Sequence, residues 1–170
     1  VENRGVDWLG VPAPIGTLGV ATDGTGICGV RFDGPLGSGD SDDPLLWRAA
    51  EELAAYFAAE RTEFDLPLSI RGSSPFERAV WAAIAAIPYG EMHTYGQIAA
   101  ALGDRNAARA VGIACNRNPL PILIPCHRIV GAGGKLVGFG GGLPRKRYLL
   151  ELEARTRIEQ TFSPNPAHRT

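Results

Sequence analysis

Cysteine is scarce in this chain, and what there is forms no framework: Cys28, Cys115 and Cys126 are the three present in 170 residues. An odd number at wide spacing supplies neither a set of disulfides nor CxxC zinc pairs, so reduced thiols are the default. Histidine is equally sparse. His93 and His127 lie in the body of the chain and His168 near its end, so a metal site would have to be assembled from scattered residues, and no metal or cofactor is expected. No apolar run approaches the about 18 residues of a membrane helix, and no charged start leads into an apolar signal core. A soluble, cytoplasmic protein is the expectation. Nor does charge of one sign dominate, since the formal net charge is −1.

That near-neutrality hides a division. Residues 1 to 75 hold 5 Lys/Arg against 12 Asp/Glu, a net of −7; residues 76 to 150 hold 9 against 3, a net of +6; residues 151 to 170 hold 3 and 3. A basic second half suggests a local patch for a polyanion, where each phosphate contact would release counterions. The alternative is that the two halves attract one another across an interface, and charge alone favours neither. The hydrophobic content of 45% over this length can bury a real core.

The first half reads as a small unit of sheet and helix. In "PIGTLGVATDGTGICGVRF", β-favouring residues alternate with small ones on either side of Asp23-Gly24, the pattern of a hairpin. Residues 1 to 8 carry no assignment. A Gly/Pro/Asp-rich loop over 33 to 44 precedes "PLLWRAAEELAAYFAAE", where Leu46, Ala50, Leu53 and Phe57 recur at helical spacing. Trp47 and Tyr56 read as packing residues. "RTEFDLPLSIRGSSP" then predicts a strand and a linker, ending a first domain, 1 to 74.

The second domain, 75 to 157, is mostly helical. Ser74 suits an N-cap and Pro75 the first turn of "PFERAVWAAIAAI", with Phe76, Val80, Ile84 and Ile87 on one face. After a stop at Pro88-Tyr89-Gly90, "TYGQIAAALGDRNAARAVGIACNRNP" predicts a short helix, a break at Gly103-Asp104 and a second helix ended by Asn118-Pro119, which is helix-turn-helix spacing. Ala107, Val111 and Ala114 can face inward while Arg105 and Arg109 face out. A helix pair that merely packs a core fits the same pattern. Seven glycines in 131 to 142 lack the GxxxxGK[ST] and strand-GxGxxG-helix contexts of phosphate loops, so they read as close backbone approach or left-handed turns. A last helix begins near Pro144, and 158 to 170 reads as a flexible tail. The fold class is α/β of the α+β kind.

"PLPILIPCHRIV", residues 119 to 130, sets Cys126 at the end of an apolar run with His127 and Arg128 following. A buried cysteine in such a place is usually a small core residue. Here the neighbours could take its proton or stabilise its thiolate. In a strand, side chains of adjacent residues point oppositely, so Cys126 and His127 could meet only through a bent backbone or an intervening water. Glu151 and Glu153 are the nearest carboxylates by sequence able to hold the imidazole.

"PCHRI", preceded by "PYGEMHTYGQIAAALG" and "AARAVGIACNRNP" and followed by "GFGGGLPRKRYLLELE", resembles the O6-alkylguanine-DNA alkyltransferases. The likeness spans residues 74 to 153 without a gap. "PIGTLGVATDGTGICGVRF" is also similar to that family's first hairpin. The resemblance implies single-turnover repair, with the alkyl group of O6-alkylguanine, and of O4-alkylthymine, passing to Cys126 after the base is flipped out through the minor groove. It assigns His127 to deprotonating the thiol through a water, Glu153 to orienting the imidazole and Asn118 to bracing the turn. Arg109 takes the extruded base's place in the stack. Tyr95 assists flipping, meets the guanine edge and protonates the leaving base. Arg105 and Ala108 fall on the DNA-facing helix, where Ala107, Ala108 and Ala110 keep the surface slim enough for a minor groove. Phe139, Gly140 and Gly141 fall on the loop lining the base pocket. The implied partner is double-stranded DNA bound by a monomer.

The chain also departs from the pattern. Some relatives hold zinc in the first domain, whereas this one has only Cys28 there and no histidine before His93. Gly140 stands where some relatives carry serine. His93 reads as a surface residue, Cys115 as packed, and Arg128 as pairing with a carboxylate or carbonyl. Three other functions compete: a lesion-binding relative that accepts no alkyl group, which lacks the cysteine present here; a helix-turn-helix transcription factor, which would dimerise and read the major groove; and a cysteine hydrolase, which would turn over.

Overall fold

The computed structural model describes residues 5–162. Its first half is a three-stranded antiparallel sheet in the order β1 (Asp7–Val11), β2 (Leu18–Thr22), β3 (Ile27–Arg31). The hairpin of β2 and β3 turns where the sequence places it. Asp23 Oδ1 accepts from the amides of Thr25 and Gly26 at 2.9 and 3.2 Å, and Gly24 takes a positive φ of 88° that a side chain would resist. β1, drawn partly from residues given no assignment, pairs with β2 from Asp7↔Thr22 to Val11↔Leu18. Every residue of β2 is buried, as befits a central strand.

α1 (Pro44–Phe57) packs on β1 and β2. The Asp43 side chain caps it by accepting from the Leu45 amide at 2.8 Å, and Pro44 fills the first turn, where no N–H is needed. Its buried face is Leu46, Ala49, Leu53 and Tyr56. The expected stripe of Leu46, Ala50, Leu53 and Phe57 is therefore rotated, with Ala50 and Phe57 only half-buried. The strand expected between 61 and 74 reduces to one bridge, Leu68 to Ile27. Around it, the Ile27 amide donates to Pro67 O and the Ser69 amide to Ile27 O, both at 2.8 Å. Pro67 has no N–H to extend the ladder.

The second half begins at α2 (Pro75–Ala85), entered through a reciprocal cap: Ser74 Oγ accepts from the Glu77 amide and Glu77 Oε1 from the Ser74 amide. Val80, Trp81, Ile84 and Ile87 are buried, whereas Phe76 stays 40% exposed. The two residues of β4 (His93–Thr94) pair in parallel with those of β5 (Ile129–Val130). His93 is thus half-buried and pinned rather than free on the surface. α3 (Tyr95–Ala101) carries the same kind of cap, from Thr94 and Gln97. It is joined to α4 (Ala108–Asn116) through Gly103, with φ 93°, and a single 3-10 turn at Arg105–Ala107. The Trp81 indole ties α2 to α4 by donating to Ala114 O at 2.8 Å.

α5 (Leu143–Phe162) closes the chain. It carries residues 158 to 162, which the sequence analysis gave to the tail. The remainder of that tail, 163 to 170, lies outside the described residues. One hydrophobic cluster runs through both halves, joining Val20 and Leu53 to Val80, Val111, Ile129 and Leu149. The division at residue 74 marks a change of architecture, and the core is continuous across it. Among the described residues, no helix is long and apolar enough to cross a membrane.

Candidate active site

The run from Leu120 to Pro125 does not continue as a strand. Ile122 adopts φ 74°, a conformation that costs a β-branched residue roughly 1 to 3 kcal/mol and persists only where its surroundings enforce it. Asn118 supplies that enforcement. Its Oδ1 accepts from the Leu120 amide at 2.9 Å and its Nδ2 donates to Ile124 O at 2.8 Å, spanning the turn. The chain then enters a 3-10 turn at Cys126–Arg128. The backbone at Cys126 and His127 is therefore bent, not the extended chain of a strand.

Cys126, 6% exposed, lies at a cavity of about 350 Å³. The walls are β3 with the following Phe32, the end of α4 with Cys115 and Asn116, the Asn118–Pro121 segment, and the loop Gly138–Gly140. Phe32 and Phe139 meet edge to face at 5.5 Å between centroids, making an aromatic wall suited to a flat ring. Gly141, expected on the lining, is instead buried behind it. A Cβ there would stand 2.8 Å from both the Phe139 and Phe32 rings, so its missing side chain sets where they sit. The amine of Lys146, a fully buried residue, donates to Val137 O and Gly138 O at 3.0 and 3.2 Å and holds that loop from behind.

Next in the chain, His127 is fully buried with Nε2 2.7 Å from Glu153 Oε2. A carboxylate accepts, so Nε2 carries the proton and Nδ1 presents its lone pair. Among the described residues nothing hydrogen-bonds that Nδ1. Burial pushes the imidazole below its ordinary pKa, against the pull of Glu153, so it is neutral and able to receive a proton. Glu153 accepts more than His127. Arg128 donates from Nε to Oε1 at 2.8 Å and from Nη2 to Oε2 at 2.9 Å, the Tyr56 hydroxyl donates to Oε2 at 2.6 Å, and the Gly90 amide to Oε1 at 3.1 Å. Burial alone would raise this carboxyl, but His127 and Arg128 outweigh it and hold it well below the usual carboxylate range. Glu151 is exposed and takes no part. Arg128 spans to Ile87 O as well, at 2.8 Å.

On the outer side, Arg105 and Arg109 are exposed at the start of α4, with Ala108 half-buried between them. No ion pair among the described residues joins a carboxylate of the first 75 residues to a cation of residues 76 to 150. None of the basic side chains described in the second half is thus held in direct contact by a carboxylate of the first. Tyr95 heads α3 beside that surface. Its ring lies close enough to Gly112 that a Cβ there would touch it at 3.7 Å, and its hydroxyl is 3.4 Å from Val137 O. Burial, then the two nearby thiols Cys115 and Cys126, push its pKa up to about 12.

The structure thus places Cys126, Asn118, Phe139 and Gly140 on one cavity, pairs His127 with Glu153 in the core, and sets Arg105, Ala108 and Arg109 on an outer face. Three members escaped the sequence analysis. Tyr56 reaches Glu153 from the first half; Cys115 lies against Cys126; Lys146 underlies the loop. Only Lys146 left a signal, since it precedes Glu153 by two helical turns and shares its face.

A model of the 6-O-methylguanine DNA methyltransferase DNA binding domain matches residues 75–155, and one of the same family's ribonuclease-like domain matches residues 11–70. The chain is 46% identical over 155 residues to a methylated-DNA–protein-cysteine methyltransferase of Mycolicibacterium paratuberculosis, covering 88% of this chain and 93% of the relative. It is 44% identical over 149 residues to one of Methanosarcina acetivorans, covering 83% and 94%. The crystal structure of a Mycobacterium tuberculosis O6-methylguanine methyltransferase is similar with a TM-score of 0.79 at 44% identity, over 89% of this chain and 94% of that one. So is a structure described as Mycobacterium tuberculosis OGT in complex with DNA, with a TM-score of 0.79 at 44% identity over 88% and 94%.

Proposed function

The chain belongs to the 6-O-methylguanine DNA methyltransferase family, and on that premise we propose that Cys126 is the alkyl acceptor and that His127 and Glu153 generate its thiolate. The activity itself is DNA repair by methyl transfer from damaged DNA to a protein cysteine. The observation that carries the residue assignment is the buried His127 ring next to Cys126 in the chain, tied at Nε2 to Glu153 and, among the described residues, without a hydrogen-bond partner at Nδ1.

The Cys126 proton passes through one water to Nδ1, and the resulting imidazolium is stabilised by Glu153. The thiolate attacks the alkyl carbon on O6; the new S–C bond forms as the C–O6 bond breaks, and the guanine leaves with its electron pair. The departing base takes a proton from the Tyr95 hydroxyl, and the phenolate recovers one from solvent while the imidazolium returns the thiol's proton to solvent, so no net proton is gained or lost. Sulfur now carries a thioether, which neither water nor thiol exchange cleaves, so one chain repairs one lesion.

Reaching O6 in a duplex requires extrusion of the base, at a cost of about a few kcal/mol that is lowest for a mispaired one. Arg109 on α4 fills the gap left in the stack, while Arg105 and the small surface of Ala108 and Ala110 let the helix approach a minor groove. Phe139, Gly140 and Phe32 enclose the flipped purine. O4-alkylthymine, smaller than the purine, fits the same cavity. The protein acts as a monomer in the cytoplasm, on double-stranded DNA. Mixing it with an excess of O6-methylguanine duplex tests this account: transfer is expected to stop at one methyl per chain, and continued turnover would point to a hydrolase or another catalytic chemistry.

A further inference from the structure

The aromatic wall of the cavity is built by both halves of the chain. Phe32 follows β3 in the first half, Phe139 lies on the loop ahead of α5 in the second, and the two rings meet edge to face at 5.5 Å. Arg145, in the first turn of α5, reaches both sides of that seam. Its Nε donates to Ile15 O at 2.9 Å, across 130 residues of sequence, and its Nη1 donates to Gly141 O at 3.1 Å. Its guanidinium carbon lies over the Phe32 ring, 5.4 Å from the centroid. Gly16, with φ 112°, borders the same guanidinium: a Cβ there would stand 3.4 Å from Nη2.

The helix itself gives this position no reason to be basic. A cation in a first turn opposes the helix dipole, and no acidic residue of that turn offsets it. The two carbonyls and the ring that Arg145 meets all lie outside α5. A planar guanidinium can serve two carbonyls and a ring face at once, which a compact ammonium cannot.

We propose that Arg145 is a specificity-determining positioning residue for the reaction at Cys126: it locks Phe32 against Phe139, so that the first half of the chain sets how tightly the cavity takes an alkylated purine. The proposal rests on the reading of this cavity as the place where Cys126 receives the alkyl group. Cys126 and both rings line the cavity and Arg145 does not, so Arg145 acts through the wall and not on the thiol. Its loss therefore weakens binding of a ring-bearing substrate before it slows the chemical step.

Saturation kinetics with free O6-benzylguanine test this on the unmodified chain, Arg145→Ala, Arg145→Lys, Phe32→Leu and the double variant Arg145→Ala with Phe32→Leu. In Arg145→Ala the half-saturating concentration should rise about threefold to tenfold, the scale of a lost hydrogen bond, with the loss in that quantity and not in the maximal rate. Arg145→Lys, which can keep one carbonyl, should fall between. The double variant should be no worse than Phe32→Leu alone, because the guanidinium works through that ring. An unchanged half-saturating concentration in Arg145→Ala, a loss confined to the maximal rate, or losses that simply add in the double variant would each overturn the proposal. If Arg145→Ala does not fold, Arg145→Lys and Phe32→Leu decide, and half-saturation in both equal to that of the unmodified chain overturns it. Peptide mass mapping keeps the two readings apart: no benzyl on Cys126 of the unmodified chain would defeat the acceptor assignment itself, whereas benzyl there with unmoved half-saturation in the variants defeats only the role of Arg145.

Discussion

The Tyr56 hydroxyl donates to Glu153 Oε2 at 2.6 Å across 97 residues of sequence, onto the same oxygen that His127 reaches at 2.7 Å. α1 of the first half is thereby latched to the carboxylate that holds the His127 imidazole. Tyr56→Phe removes the donor and leaves Oε2 with His127 and Arg128, so a loss of about 1 to 2 kcal/mol is expected. The denaturant midpoint should fall at constant m-value. An unchanged midpoint would mean that the contact contributes nothing to folding.

Glu153→Gln is the more severe change because it strands the buried Arg128 guanidinium. Removing one partner of such a pair costs about 3 to 5 kcal/mol. The sign of the pH effect follows from the depressed carboxyl. A folded-state pKa below the ordinary 4.5 contributes stability that is present above that value and lost as pH falls below it. The gap between the unmodified chain and Glu153→Gln should be widest at neutral pH and shrink as pH drops below about 4.5. Denaturation curves at a series of pH values measure it, and a gap independent of pH would show that ionised Glu153 contributes no net stability.

Local chemistry was legible in the sequence and distant pairing was not. Ser74 and Pro75 announced α2, Asp23-Gly24 announced the hairpin, and Cys126 beside His127 announced the site, because caps, turns and adjacent side chains obey short-range rules. Glu153 was reached through resemblance in motif spacing. Tyr56 looked like one more aromatic on an amphipathic helix, since nothing within α1 reveals a partner on α5. The false strand at 61 to 74 reflects β-favouring residues whose ladder Pro67 interrupts. Gly141 was grouped with the lining although it shapes the wall from behind, a distinction made by tertiary packing.

Gly141→Ala tests that distinction. The added Cβ would lie 2.8 Å from two rings, so Phe139 and Phe32 must move, and overpacking of this kind costs about 1 to 3 kcal/mol. Reaction with free O6-benzylguanine should slow while binding to undamaged duplex stays as it was. Equal weakening of both would place the damage in the fold instead of the pocket.

The roles proposed for Arg109 and His127 belong to separable steps. Arg109→Ala should slow repair of a duplex lesion far more than reaction with free O6-benzylguanine, which needs no flipping, whereas His127→Ala should slow both because thiolate formation is common to them. Affinity for duplex should fall steeply with salt, and less steeply in Arg109→Ala if it meets a phosphate before entering the stack. Equal losses for Arg109→Ala on both substrates would remove it from the flipping step.

The acceptor assignment has the most direct test. After reaction with O6-methylguanine duplex, peptide mass mapping should place one added methyl on the peptide bearing Cys126, and Cys126→Ser should bind the same DNA while acquiring none. Methyl on Cys28 or Cys115, or transfer that survives Cys126→Ser, would contradict the account.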